Sequence, residues 1–82
     1  LARYGAEHNI FVNSISPGII ETDLTREELK SGGGGKVVEL TLLKRPGVEM
    51  DVSSIALMLA SNDQNYLTGQ IISPNGGSYF TV

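Results

Sequence analysis

Val12-Asn13-Ser14-Ile15-Ser16-Pro17-Gly18-Ile19-Ile20-Glu21-Thr22-Asp23 decides how this sequence is to be read. With Ile10 and Phe11 it forms a β-branched and aromatic run bounded by His8-Asn9 on one side and Ser16-Pro17-Gly18 on the other. Those limits predict a strand over 10–15. Apolar side chains at 10, 11, 12 and 15 do not alternate cleanly. That pattern suits a strand covered on both faces, and hence a parallel sheet. Proline cannot donate to a ladder and glycine permits a sharp turn, so Pro17-Gly18 ends the strand.

Upstream, Leu1 to Ala6 reads as the last turn of a helix, with Gly5 as a left-handed cap. Downstream, either Asp23 or Thr25 could cap a short helix through Arg26-Glu27-Glu28-Leu29-Lys30. Thr25 followed by Glu28 has capping-box spacing. Ser31-Gly32-Gly33-Gly34-Gly35 predicts a flexible connection, since consecutive glycines lose much backbone entropy on ordering. It lacks the spacing of a phosphate-binding loop. Val37, Val38, Leu40, Leu42 and Leu43 form a short apolar, helical segment that stops at Arg45-Pro46-Gly47. Val52, Ile55, Ala56 and Leu59 then mark one face of a helix over 49–61. Gln70-Ile71-Ile72-Ser73 is a second short strand, closed by Asn75-Gly76-Gly77. A strand, helices and a strand imply a parallel pair joined by a right-handed crossover.

Composition narrows the function classes. Net charge is -3 with no basic run, which argues against a nucleic-acid partner. No apolar run approaches the roughly 20 residues that cross a bilayer. Cysteine is absent, so neither a disulfide frame nor a cysteine metal site can staple the chain. This fits a cytoplasmic setting. The first residue is Leu1 rather than methionine, which suggests a fragment, a processed product or a truncated sequence. Two strands alone leave both faces and both edges of a parallel sheet uncovered, so the chain is expected to fold poorly by itself.

Three spaced features resemble the short-chain dehydrogenase/reductase family, in its classical, 3-oxoacyl-acyl-carrier-protein reductase-like form. The first is the Val12–Asp23 stretch, similar to the family's V-N-x-(I/V)-x-P-G strand with a threonine beyond it. The second is Lys44-Arg45-Pro46-Gly47 leading to Asp51-Val52-Ser53-Ser54-Ile55-Ala56 and Leu59-Ala60-Ser61. The third is Tyr66-Leu67-Thr68-Gly69-Gln70-Ile71-Ile72 with Asn75-Gly76-Gly77. The resemblance implies an α/β fold. Residues 1–82 would be the C-terminal segment, the last two parallel strands plus helices, of a single NAD(P)-binding, Rossmann-like doubly wound domain. Residues 23–38 would be its variable, mobile substrate cover, although the glycine run departs from the family's composition. That run is either an unusually flexible cover or a join between two stretches.

The resemblance further implies NAD or NADP as cofactor, a carbonyl or alcohol as substrate, the remainder of the same enzyme as partner, and a homo-oligomer. Pro17, Gly18, Ile20 and Thr22 would bind the cofactor, through backbone groups around Gly18 and Ile20 and the Thr22 hydroxyl. Without the flanking pattern, Thr22 would read as a helix cap. No catalytic residue is expected in this sequence, because no tyrosine is followed four residues later by lysine: His8 follows Tyr4 and Gln70 follows Tyr66. His8 has no partner placed by any motif, and Asp23, Glu27 and Glu28 read as helix-start charges rather than metal ligands. The alternative is a non-catalytic remnant, acting only as a structural or interaction module.

Overall fold

A computed structural model describes residues 1–30 and 38–80. The glycine run, Val37, part of the expected substrate cover and the last two residues lie outside the described residues. In chain order the elements are α1 (Ala2–Ala6), β1 (Ser14–Ile15), α2 (Arg26–Lys30), α3 (Glu49–Ala60) and β2 (Ile71–Ile72). The two strands pair in parallel, Ser14 opposite Ile71 and Ile15 opposite Ile72. Both therefore end at the same side of the molecule.

Backbone bonds at 2.9 Å from Ser14 N to Gln70 O and 2.8 Å from Ser16 N to Ile72 O make the ladder. Side chains extend it. The Asn13 carboxamide donates to the Leu67 carbonyl at 2.9 Å and accepts from the Gln70 amide at 3.1 Å. One residue earlier, the Val12 amide donates to the Thr68 hydroxyl at 3.0 Å and the Val12 carbonyl accepts from Gly69 N at 2.8 Å. The regular strand is shorter than the six residues expected because the Val12 and Gln70 amides end on the side-chain oxygens of Thr68 and Asn13, where a longer ladder would use backbone carbonyls.

Gly5 sits inside α1 rather than capping it. It is buried, its carbonyl takes the amides of His8 and Ile10 at 2.9 and 2.8 Å, and a Cβ there would come within 2.8 Å of the Ile10 carbonyl oxygen. The left-handed turn falls instead on Asn9, φ 59°, a residue type that tolerates it. Gly5 is thus needed for close approach of helix to strand.

At the start of α3, Val48 has no polar side chain to offer. Asp51 supplies the reciprocal half of a capping box, accepting the Val48 amide at 2.7 Å and Arg45 Nη1 at 3.1 Å. The Val48 amide, and secondarily Arg45, hold the Asp51 carboxyl below the usual carboxylate range. A lowered folded-state pKa stabilises the helix start above the ordinary carboxylate pKa, and that contribution is lost as pH falls through the lowered value.

Among the described residues no hydrophobic side chain is fully buried. Val52, Ile55 and Leu59 on α3 are half-buried, as their spacing predicts, whereas Ala56 is exposed. Met50 and Leu57 lie open on other sides of the helix, 69% and 73% exposed. A helix with apolar residues on several sides belongs inside a larger structure. Ile71, in the very strand that forms the sheet, is 64% exposed. The chain exposes 6348 Å², against about 4,800 Å² for a compact chain of this mass. No helix among the described residues is long and apolar enough to cross a membrane.

This exposure yields a direct expectation. The 82-residue chain alone, as a monomer, should melt over a broad range without a cooperative transition. A sharp, concentration-independent sigmoid would contradict the account of its uncovered faces.

Candidate functional site

The loop Ser16–Thr22 leaves β1 at the shared carboxyl end and is held from three sides. The first support is the loop after β2. Gly18 N donates to the Pro74 carbonyl at 3.2 Å, and a Cβ on Gly18 would sit 2.8 Å from the Asn75 Cα. Only a glycine lets the two loops lie this close. Asn75 in turn shapes its own loop, accepting Gly77 N at 2.9 Å and donating to the Tyr79 carbonyl at 3.1 Å.

The second support is the turn before α3. Gly47 N donates to the Ile19 carbonyl and Gly47 O accepts the Glu21 amide, both at 2.8 Å, making a parallel bridge centred on Ile20. The third is Thr25. Its hydroxyl donates to the Ile20 carbonyl and accepts the Thr22 amide, again both at 2.8 Å. Thr22 starts α2 with its carbonyl, which takes the Arg26 amide at 2.9 Å, while its hydroxyl lies 3.2 Å from that of Thr25.

These bonds leave a distinctive remainder. Ile19 O, Ile20 O, Glu21 N and Thr22 N are all engaged, whereas among the described residues the Ile20 amide meets no acceptor. Ile20 is a half-buried residue, and a backbone donor held between pinned neighbours is suited to a ligand acceptor. The structure thus brings Pro17, Gly18, Ile20 and Thr22 onto one loop at the carboxyl end of the parallel pair. In open α/β sheets that end is where ligands bind.

Beside this loop lies a cleft of about 190 Å³ whose walls include Ile19, Gly47, Asp51, Pro74 and Asn75. It is smaller than the roughly 300–1,000 Å³ of most small-molecule sites, so these residues form one wall of any larger one. Tyr79 reaches the same end, where the side chains of Ser16, Ser73 and Asn75 lower its phenol pKa. The Ser73 oxygen is enclosed but outside regular hydrogen-bond geometry, so Ser73 is a neighbour of Tyr79 and not a firm partner.

Other candidates are accounted for differently. Asp23 pairs with Arg26 at 2.8 Å, and Arg26 also reaches Glu21 at 3.3 Å. Among the described residues no group of three or more His, Cys, Asp or Glu is placed to hold a metal ion. His8 is exposed and packs against Tyr4, ring centroids 4.9 Å apart. Sequence reasoning missed the parts played by Gly47, Asn13 and Thr25. Gly47 reads in sequence only as the end of a turn. Thr25 reads as a cap for α2, yet its two shortest bonds run back to residues three and five positions earlier.

Comparison with known proteins places the chain in a family. Residues 1–79 match the family described as enoyl-(acyl carrier protein) reductase. The chain is 43% identical over 79 residues to the 3-oxoacyl-[acyl-carrier-protein] reductase FabG of Buchnera aphidicola subsp. Baizongia pistaciae, covering 96% of this chain and 32% of that protein. It is 36% identical over 80 residues to the acetoacetyl-CoA reductase of Rhizobium meliloti, covering 98% and 33%. Among solved structures, YwfH, an NADPH-dependent reductase involved in bacilysin biosynthesis, superposes with a TM-score of 0.87 at 31% identity, over 99% of this chain and 34% of that one. ElxO with NADP bound gives 0.83 at 30% identity, over 94% and 32%. The chain spans about a third of the length of these relatives. With a family match across almost all of its residues, this chain belongs to the short-chain dehydrogenase/reductase family.

Proposed function

We propose that this chain is the C-terminal portion of an NAD(P)-dependent reductase that interconverts a carbonyl and an alcohol, and that its loop Pro17–Thr22 orients the nicotinamide. The observation that carries this reading is the Ile20 amide, without an acceptor among the described residues and fixed by Gly47 and Thr25 at the carboxyl end of a parallel strand pair. A nicotinamide carboxamide needs both a donor and an acceptor from its site. The Ile20 N–H supplies the donor, and the Gly18 carbonyl and the Thr22 hydroxyl are the nearby acceptors in sequence. Pro17 sets the turn that brings them to the surface. The relatives named above as NADPH-dependent or NADP-bound support the cofactor class. NAD and NADP both remain within the proposal, because residues that read the ribose belong to an earlier part of such folds.

When bound, the nicotinamide supplies or takes the hydride. These residues hold the ring at a fixed angle, which lowers the entropic part of the barrier. Proton exchange is assigned to a tyrosine and lysine outside this sequence, since none of its tyrosines has a lysine four residues on. The open apolar sides of α3 and β2 are to be covered by the remainder of the enzyme and by a second copy in a homo-oligomer. α2 forms part of the substrate cover.

Two outcomes are expected. In the complete enzyme, Thr22→Val should raise the KM for NAD(P)H about fivefold, the size of one net hydrogen bond, with little change in the carbonyl KM. An unchanged cofactor KM would remove Thr22 from the site. The 82-residue chain alone should oxidise NADPH at the background rate in the presence of a 3-oxoacyl thioester; measurable turnover would show that proton transfer does not need the external pair.

A further inference from the structure

A threonine hydroxyl has one proton and two lone pairs, and Thr25 uses them in a way that reaches the cofactor loop. The proton goes to the Ile20 carbonyl at 2.8 Å and one lone pair takes the Thr22 amide at 2.8 Å. The second lone pair is then available to the Thr22 hydroxyl, 3.2 Å away, which donates to it. This leaves the Thr22 oxygen with acceptor capacity alone. Ordinary helix caps accept amides from the turn that follows. Both short bonds of Thr25 instead bind the segment that precedes it.

We propose that Thr25 is a positioning residue for the nicotinamide site, its hydroxyl fixing the Ile20 peptide and polarising the Thr22 hydroxyl into an acceptor. The inference rests on the reading above that this loop holds the nicotinamide. Gly47 grips the loop on its other side through the Ile19 and Glu21 peptides, so without Thr25 the Ile20 carbonyl and the Thr22 amide lose their described partner, and Thr22 keeps the bonds that its carbonyl takes from the Thr25 and Arg26 amides. Because α2 begins at the next residue, Arg26, the same hydroxyl ties the cofactor loop to the substrate side. Arg26 spans the loop as well through Glu21 and Asp23, but those ion pairs are half-exposed or more and screened by water.

The test is steady-state kinetics of the complete reductase with NAD(P)H varied, for Thr25→Val, Thr25→Ser and, as reference, Thr22→Val. Thr25→Val should raise the cofactor KM about tenfold and leave the carbonyl KM within about twofold, while serine restores the cofactor KM to within about threefold of the wild type. A role in stability alone would lower kcat with both KM values unchanged and would overturn the proposal. A raised cofactor KM in Thr22→Val but not in Thr25→Val overturns it too, and leaves the cofactor loop standing. No change in either variant overturns the cofactor loop itself. Should Thr25→Val fail to fold, amide exchange of the cofactor-free wild type decides. Protection of the Thr22 amide supports the proposal, and exchange at the rate of an open amide contradicts it.

Discussion

The Asn13 carboxamide joins the two strands of this chain at both of its polar ends, and most of the architecture follows from that junction. Its nitrogen gives to the Leu67 carbonyl and its oxygen takes from the Gln70 amide. A hydrophobic residue of the same size would leave both backbone groups unpaired, and aspartate would satisfy only one of them. The regular ladder is two residues long on each side. A pair that short has little to resist a slip in register, and a slip of one residue would turn Ile15 and Ile72 to the opposite face. Asn13 makes the register specific. With the register set, Pro17-Gly18 and Asn75-Gly76 must emerge side by side, and the closeness of Gly18 to Asn75 follows.

From that end the site is assembled by small contacts rather than by a deep pocket. Gly47 and Thr25 consume the polar groups around Ile20 and leave its amide available. Under the proposed function, rigidity at this point matters because a ring that must transfer hydride loses rate steeply with misorientation. The rest of the chain is comparatively bare. Apolar residues on α3 and β2 have no described cover, a state that is costly in water and is explained if neighbouring structure packs over them. Site geometry is thus held by contacts within this chain, while its apolar faces are left open.

Much of this was legible in the sequence, for identifiable reasons. β-branched runs closed by Pro17-Gly18 and by Pro74-Asn75-Gly76 gave the two strands, because the chemistry of proline and glycine is local, and the helices between them gave their parallel sense. The limits of α3 followed from Pro46-Gly47 and the polar turn after Ser61. The position of Pro17, Gly18, Ile20 and Thr22 on one loop followed from their adjacency. What could not be read were the long-range partners. Nothing near Gly47 in the chain signals a bridge to Ile20, and nothing near Asn13 signals Leu67. Gly5 was misassigned because close approach and left-handed capping both favour glycine, and only the fold shows that Ile10 occupies the space. Thr25 was given the forward bond of a cap, whereas its neighbours upstream offered two better-placed partners.

The central claim is that the Ile20 amide and Thr22 hydroxyl, presented by the Asn13-locked strand pair, receive the nicotinamide. A crystal structure of the complete enzyme with NADP(H) bound tests it most directly. The account predicts the carboxamide oxygen within hydrogen-bond distance, about 3.2 Å or less, of the Ile20 amide nitrogen, with the Gly47 and Thr25 bonds intact. A nicotinamide seated away from this loop, with the Ile20 amide facing water or another protein group, would contradict it.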